Sequence, residues 1–254
     1  MRDAAGVDLS VRHHLSVCPH DTAKNLVGWF LFNNYLQTRL QARIQLAPQE
    51  NILAERASVL AAEPHVVYAN PYSALVFAQE RGYLPVARPA GLFDETVLVC
   101  RADSGPAAWG PTPRVASATD KLIVHGQGLR LLELAGVEAG RAEFHYVGNH
   151  LNAAKAVIKG EAALGFVFGE TWDAMSDTAR SELSAVARSA PGGASHVFMV
   201  SPAWSHRASE LSELLCAMRA DPRGQEVLAE LRFTAGFEPV PSHFLEQMGE
   251  LAKL

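Results

Sequence analysis

Long apolar runs are missing from this sequence. The densest is Val27 to Phe32, far short of the ~18 apolar residues that a membrane-spanning helix needs, so no direct membrane insertion is expected. Cysteine is scarce. Three residues, Cys18, Cys100 and Cys216, cannot complete a disulfide set, and none stands at a CxxC or other metal-ligand spacing. Basic charge is not in excess: 22 Lys and Arg against 27 Asp and Glu give a formal net charge of −5. With no basic cluster either, a nucleic-acid surface is not expected. Met1 to Asp8 lacks a positive start followed by the ~7–15 apolar residues of a secretion signal. The expected location is therefore the cytoplasm for the sequence as it stands, or the periplasm if a leader has been removed. Short-period repeats and low-complexity segments are lacking too. What remains is an ordinary globular composition of 254 residues, 48% hydrophobic and 19% charged, enough for one large or two medium domains.

Along the chain, strand-like runs alternate with helical periodicity. Leu15 to Cys18 reads as a strand ending at Pro19, and Asp21 as a cap for the helix that follows. Arg43 to Leu46 reads as a strand, Ile52 to Leu60 as a helix and His65 to Ala69 as a strand. Asn70-Pro71 is a strong helix start, with Asn as cap and Pro at the first helical position, and Gly82 suits its left-handed stop. Leu84 to Ala87 closes a βαβαβαβ order that favours a parallel sheet covered by helices. A second set follows: strands at Glu95–Arg101, Val115–Ala118, Phe144–Val147 and Ala163–Phe168, and helices at Asp120–Ala135 and up to Lys159. His196 to Val200 reads as a buried strand before a helical tail. The expected division is lobe one, residues 1–90 and 195–254, and lobe two, residues 91–194.

In such sheets ligands sit beyond the carboxyl ends of strands, where helix N-termini offer free N–H groups. Five strand-to-helix turns carry polar residues there: Cys18 to Thr22, Tyr68 to Ser73, Ser117 to Asp120, Gly148 to His150, and Phe168 to Thr171. Two fall in the first half and three in the second, the distribution that a cleft between two lobes needs. Candidate ligand residues are His20, Tyr68, Asn70, Tyr72, Ser117, Thr119, His150 and Glu170. Asp21, Asn70, Thr119 and Asn149 also read as ordinary helix caps. Gly126-Gln127-Gly128 lacks the third glycine of a dinucleotide fingerprint and lies inside a helical run, so it is discounted. His13-His14 has no zinc partner in sequence, and nothing orients Cys18 with His20 as nucleophile and base. No catalytic residue, metal or cofactor is expected.

Val66 to Leu75, followed by Arg81 to Pro89, resembles the first lobe of the phosphate/phosphite/phosphonate-binding family, substrate-binding proteins of ABC transporters with the type 2 periplasmic-binding fold. Tyr146 to His150, Ala153 to Val157 and Gly160 to Val167 are similar to its second lobe, and Asp221 to Leu228 with Phe237 to Val240 to its C-terminal region. The resemblance covers about residues 12–242. It implies a two-lobed α/β fold, each lobe a mostly parallel sheet flanked by helices, that closes on a small oxyanion such as a phosphonate or phosphate compound. By position Tyr68 and Tyr72 would serve from lobe one, Ser117 and Thr119 would supply hydroxyls, and His150 would donate. Glu170 would read an amine or a protonated oxygen. Asp120 departs from the pattern by placing a negative charge beside the expected anion. The implied partners are a small anionic ligand and a transporter permease or a signalling protein. The rival expectations are a cytoplasmic enzyme on the same fold, resembling menaquinone-pathway dehydratases or thiamine-pyrimidine synthases, and a cytoplasmic ligand sensor.

Overall fold

A computed structural model of the protein describes residues 11–252; the reading of Met1 to Asp8 lies outside them. The first segment runs β1 (Arg12–Val17), α1 (Pro19–Leu40), β2 (Arg43–Leu46), α2 (Ile52–Ala62), β3 (Val66–Ala69), α3 (Pro71–Arg81) and β4 (Leu84–Pro89). A second stretch holds β5 (Thr96–Arg101), β6 (Arg114–Ser117), α4 (Ile123–Leu134), β7 (Glu143–Tyr146), α5 (His150–Ile158), β8 (Leu164–Phe168), α6 (Gly169–Asp173), α7 (Asp177–Ser181) and β9 (Leu183–Arg188). The chain then continues through β10 (Val197–Val200), α8 (Ala208–Ala217), α9 (Pro222–Glu230), β11 (Phe237–Glu238) and α10 (Phe244–Ala252). Among the described residues these elements divide into two compact units, residues 11–92 with 195–243, and residues 93–194 with 244–252. No helix among the described residues is long and apolar enough to cross a membrane.

The sheet of the first unit has the order β11-β4-β10-β3-β1-β2. Strands β1, β2 and β3 pair in parallel, as the βαβ order predicts. One departure concerns β4, which does not pair with β3. Between them lies β10, antiparallel to both. Its run Val-Phe-Met-Val is apolar throughout because both of its faces are covered, and all four residues are fully buried. On this sheet Trp29 of α1 packs against Tyr68 at 4.8 Å and Phe32 at 5.4 Å, with Phe198 and Phe233 at 6.2 and 6.1 Å. Helix α1 is not continuous. Asn25 leaves helical geometry (φ −153°, ψ 74°), and its Oδ1 accepts from Gly28 N at 2.8 Å, which caps the longer second segment.

The second unit has the order β7-β6-β8-β5-β9, with β6 parallel to β7 and β8, and β5 antiparallel to β8 and β9. Successive residues of β8 face opposite sides. Gly165 faces α5, where an added Cβ would meet Val157 at 2.8 Å. Phe166 faces α4, its ring packed on Gly128 so closely that a Cβ there would lie 2.5 Å from it. The neighbouring Gly126 gives room to the backbone of Leu251, 2.4 Å from such a Cβ. The Gly-Gln-Gly run thus serves close packing, with Gln127 buried between and donating to Asp94 O at 2.9 Å. It also places α10 on α4, so the last helix belongs to the second unit, whereas the sequence reading sent the whole tail to the first.

Candidate functional site

In the first unit the polar turns after β1 and β3 lie side by side, joined by Cys18 N donating to Tyr68 O at 2.9 Å. Cys18, not Asp21, holds the cap position of α1; Asp21 stands in the first turn. Asn70 caps α3 as expected, its Oδ1 accepting from Ser73 N at 3.0 Å, while its Nδ2 donates to Ser73 Oγ at 3.0 Å and lies 3.9 Å from Cys18 Sγ. Tyr72 follows at the helix start, half-buried, and His20 is half-buried in the turn beside it. Tyr68 is different. It is 2% exposed and stacked on His196 at 5.4 Å, so its ring is part of the core. A strand residue between two apolar neighbours points where the sheet buries it, which sequence position alone does not show.

Three residues of this unit escaped the sequence reading. Arg56 of α2 is buried and donates to Ser73 Oγ at 3.1 and 3.3 Å, with its guanidinium 4.8 Å over the Tyr72 ring. It adds a positive charge below the start of α3, where helix N–H groups already favour an anion. Glu55, its neighbour, is fully buried, and burial pushes its carboxyl up to about 7. His196, at the entry to β10, faces Asp21 at 3.3 Å. The arginine and the carboxylate sit side by side on α2 with no motif around them, and the histidine is 175 residues beyond Asp21. No local pattern marks any of them. His13 has neighbours in space rather than in sequence: His65 at 4.5 Å and Trp204 at 4.7 Å.

In the second unit the turns after β6 and β7 are tied by Val147 N to Ser117 O at 2.9 Å and Gly148 N to Ala118 O at 3.0 Å. The turn after β8 belongs to the strand on the other side of β6. Ser117, Thr119, His150 and Glu170 therefore stand at the carboxyl ends of three neighbouring parallel strands. Ser117 is buried; its hydroxyl lies 3.3 Å from Thr119 O and 3.2 Å from His125 Nδ1. Burial lowers the His125 pKa and favours the neutral ring. Thr119 is half-buried, with Oγ1 3.2 Å from Asp120 Oδ1 and accepting from Lys121 N at 3.3 Å. The expected helix start at Asp120 is displaced. α4 begins at Ile123 behind an uncapped Leu122, so Thr119 and Asp120 form a turn ahead of it. Asn149 caps α5 by accepting from Asn152 N at 2.8 Å. His150 opens that helix with its ring 5.7 Å from Phe168, and Glu170 is exposed at the start of α6.

The family model described as "ABC transporter, phosphonate, periplasmic substrate-binding protein" matches residues 15–243. None of the curated proteins compared with the chain matches it. Among solved structures, XAC2383 from Xanthomonas citri is similar in its chloride-bound form, at 20% identity over 95% of this chain and 96% of that one (TM-score 0.75). Its ATP-bound form gives 19% identity over 95% of each chain and the same TM-score, 0.75. PhnD1 from Prochlorococcus marinus, in complex with methylphosphonate, has 14% identity over 94% of this chain and 96% of that one (TM-score 0.71). The periplasmic aliphatic sulphonate binding protein SsuA from Escherichia coli has 13% identity over 95% and 90% (TM-score 0.68). At these identities the likeness is one of fold: two-lobed, α/β and of the periplasmic-binding type.

Proposed function

The chain belongs to the phosphonate family of periplasmic substrate-binding proteins of ABC transporters, and on that premise we propose that it binds a small oxyanion by closing its two units on it. The observation that carries this reading is the repeated placement of polar turns, in each unit, at the carboxyl ends of neighbouring parallel strands that lead into helices. His20, Asn70 and Tyr72 serve from the first unit, with the Arg56 charge behind them. Thr119 and His150 serve from the second, with Ser117 holding the Thr119 turn and Glu170 reading an amine or a protonated oxygen. Tyr68 acts as floor rather than as a direct contact. Chloride, ATP, methylphosphonate and sulphonates are the ligands named for the similar structures, and all are anions. With a net charge of −5, the whole-protein field does not draw an anion in, so local N–H groups and hydroxyls must hold it. The partner in this reading is a transporter permease.

The test is a thermal-shift screen of phosphonates, phosphate esters, sulphonates and nucleotides in chloride-free buffer. At least one stabilises the protein, by about 2.7 kcal/mol at a hundredfold excess over Kd, and mass spectrometry recovers it unchanged. The Tyr72→Ala, Thr119→Ala double variant loses the shift. A shift retained in that variant places the ligand elsewhere, and a ligand consumed on incubation makes the protein an enzyme.

A further inference from the structure

The geometry points to a buried metal site in the first unit, built from Cys18 Sγ, Asp21 and His196, for a borderline dication of the zinc class. The inference stands beside the oxyanion reading and does not rest on it.

Three different ligand types, a thiol, a carboxylate and an imidazole, converge there with their donor atoms all within 4.8 Å of one another. They come from the end of β1, the first turn of α1 and the entry to β10, so the sheet and not a local motif assembles them. A tetrahedral zinc ion with bonds of about 2.0–2.3 Å sets its donors about 3.3–3.6 Å apart. His196 Nε2 and Asp21 Oδ2 already stand at that edge length, 3.3 Å. The sulfur needs to close at most about 1.2 Å (4.8 − 3.6), a side-chain adjustment.

The surroundings fit a metal ligand set. The Tyr68 ring is stacked on the imidazole at 5.4 Å and 28°, which fixes its plane, and the Asn70 amide is directed at the sulfur at 3.9 Å. Glu55 is fully buried nearby, and its Oε2 has no hydrogen-bond partner among the described residues. A buried oxygen left in that state is one that a bound cation can satisfy. Glu55 is electrostatically coupled to Cys18, Asp21 and His196, though it stands outside the three-residue group itself. Soft sulfur with nitrogen and one carboxylate selects zinc, cobalt or nickel over magnesium and calcium. A nucleophilic role for the same thiol fits less well. Cys18 is 1% exposed, and burial raises its pKa, whereas a reactive thiolate is accessible and low.

The test uses the untagged full chain, stripped with chelator and titrated with cobalt(II), then zinc(II). One equivalent of cobalt gives a near-ultraviolet thiolate-to-cobalt charge-transfer band, and zinc displaces it. Cys18→Ser removes the band, and Asp21→Asn and His196→Ala weaken zinc binding at least tenfold. Cys100→Ser and Cys216→Ser keep the band. Absence of the band in the wild type, or its survival in Cys18→Ser, overturns the site. Should Cys18→Ser fail to fold, the wild type itself decides. Zinc then slows alkylation of Cys18, mapped by mass spectrometry, at least tenfold, and an unchanged rate overturns the inference.

Discussion

Replacing Gly128 by alanine sets two forces of opposite sign against each other. In a helix interior, alanine is better than glycine by about 1 kcal/mol. The new methyl, however, would lie 2.5, 2.5 and 2.6 Å from three carbons of the Phe166 ring, where a relaxed carbon contact is about 3.5–4.0 Å. The ring cannot swing away freely. It is fully buried on β8, with His125 at 5.6 Å and Phe144 at 6.1 Å around it. Relieving the overlap requires α4 and the sheet to part by about 1 Å, and overpacking of this kind costs about 1–3 kcal/mol. The net expectation is destabilisation of up to about 2 kcal/mol, the difference between those two terms. Urea unfolding measures it directly. Gly140→Ala is the control, because nothing lies within 4 Å of its added Cβ, and it leaves stability within about 0.5 kcal/mol of wild type. Phe166→Leu combined with Gly128→Ala restores room, so the double variant loses less than the sum of the singles by at least about 0.5 kcal/mol. A Gly128→Ala protein more stable than the wild type, gaining the helix propensity with no packing cost, refutes the packing argument. The matter reaches function because α4 follows directly from the Ser117 to Asp120 turn.

Three further outcomes are expected. Trp29→Ala removes a ring that is 1% exposed and lowers the urea-derived stability by about 3–5 kcal/mol; a loss under 1 kcal/mol would show that the first-unit core does not depend on it. Asn70→Ala deletes the α3 cap and costs about 1 kcal/mol, measured by the same unfolding, and it weakens any anion that stabilises the wild type. His65 is held down to about 4 by burial and by the charges of His13 and His14. Its folded value lies below the ordinary 6.5, so its contribution is complete above pH 6.5 and is lost as the pH falls toward 4. The urea midpoint of the wild type drops over that window, and His65→Gln flattens the drop.

Much of the architecture was legible because periodicity and caps are local. Asn70-Pro71 and Gly82 bracket α3 as the caps require, with Gly82 at φ 66°, and the apolar runs at β3, β8 and β10 mark strands covered on both faces. Sheet order was less legible. Nothing in the run Val197 to Val200 states that it enters between β3 and β4. The site was read in part. Asn70 and Asn149 cap as expected, whereas Thr119 misses the start of α4, since a turn between strand and helix can be lengthened without changing the pattern on either side. The burial of Tyr68 was not legible, because exposure depends on what covers the strand, here α1 and His196. The Cys18, Asp21 and His196 cluster was illegible for a related reason: its third member arrives just ahead of β10, far along the sequence from the other two.

That position of β10 has a consequence for the order of events during synthesis. A nascent chain that has emerged as far as β4 carries every parallel strand of the first unit, yet β3 and β4 have an empty slot between them, each with an unpaired edge. Over a hundred residues must be made before the strand that fills it leaves the ribosome. At ~5–20 residues per second this is a wait of about 5–20 seconds. During it the sheet of the second unit, whose five strands are contiguous in sequence, is free to form, with α10 joining it later. The sheet encoded first is thus closed last, although the second unit still awaits α10, and a message truncated ahead of Val197 yields a chain in which one edge of β3 and both edges of β4 are unpaired and invite pairing with other chains.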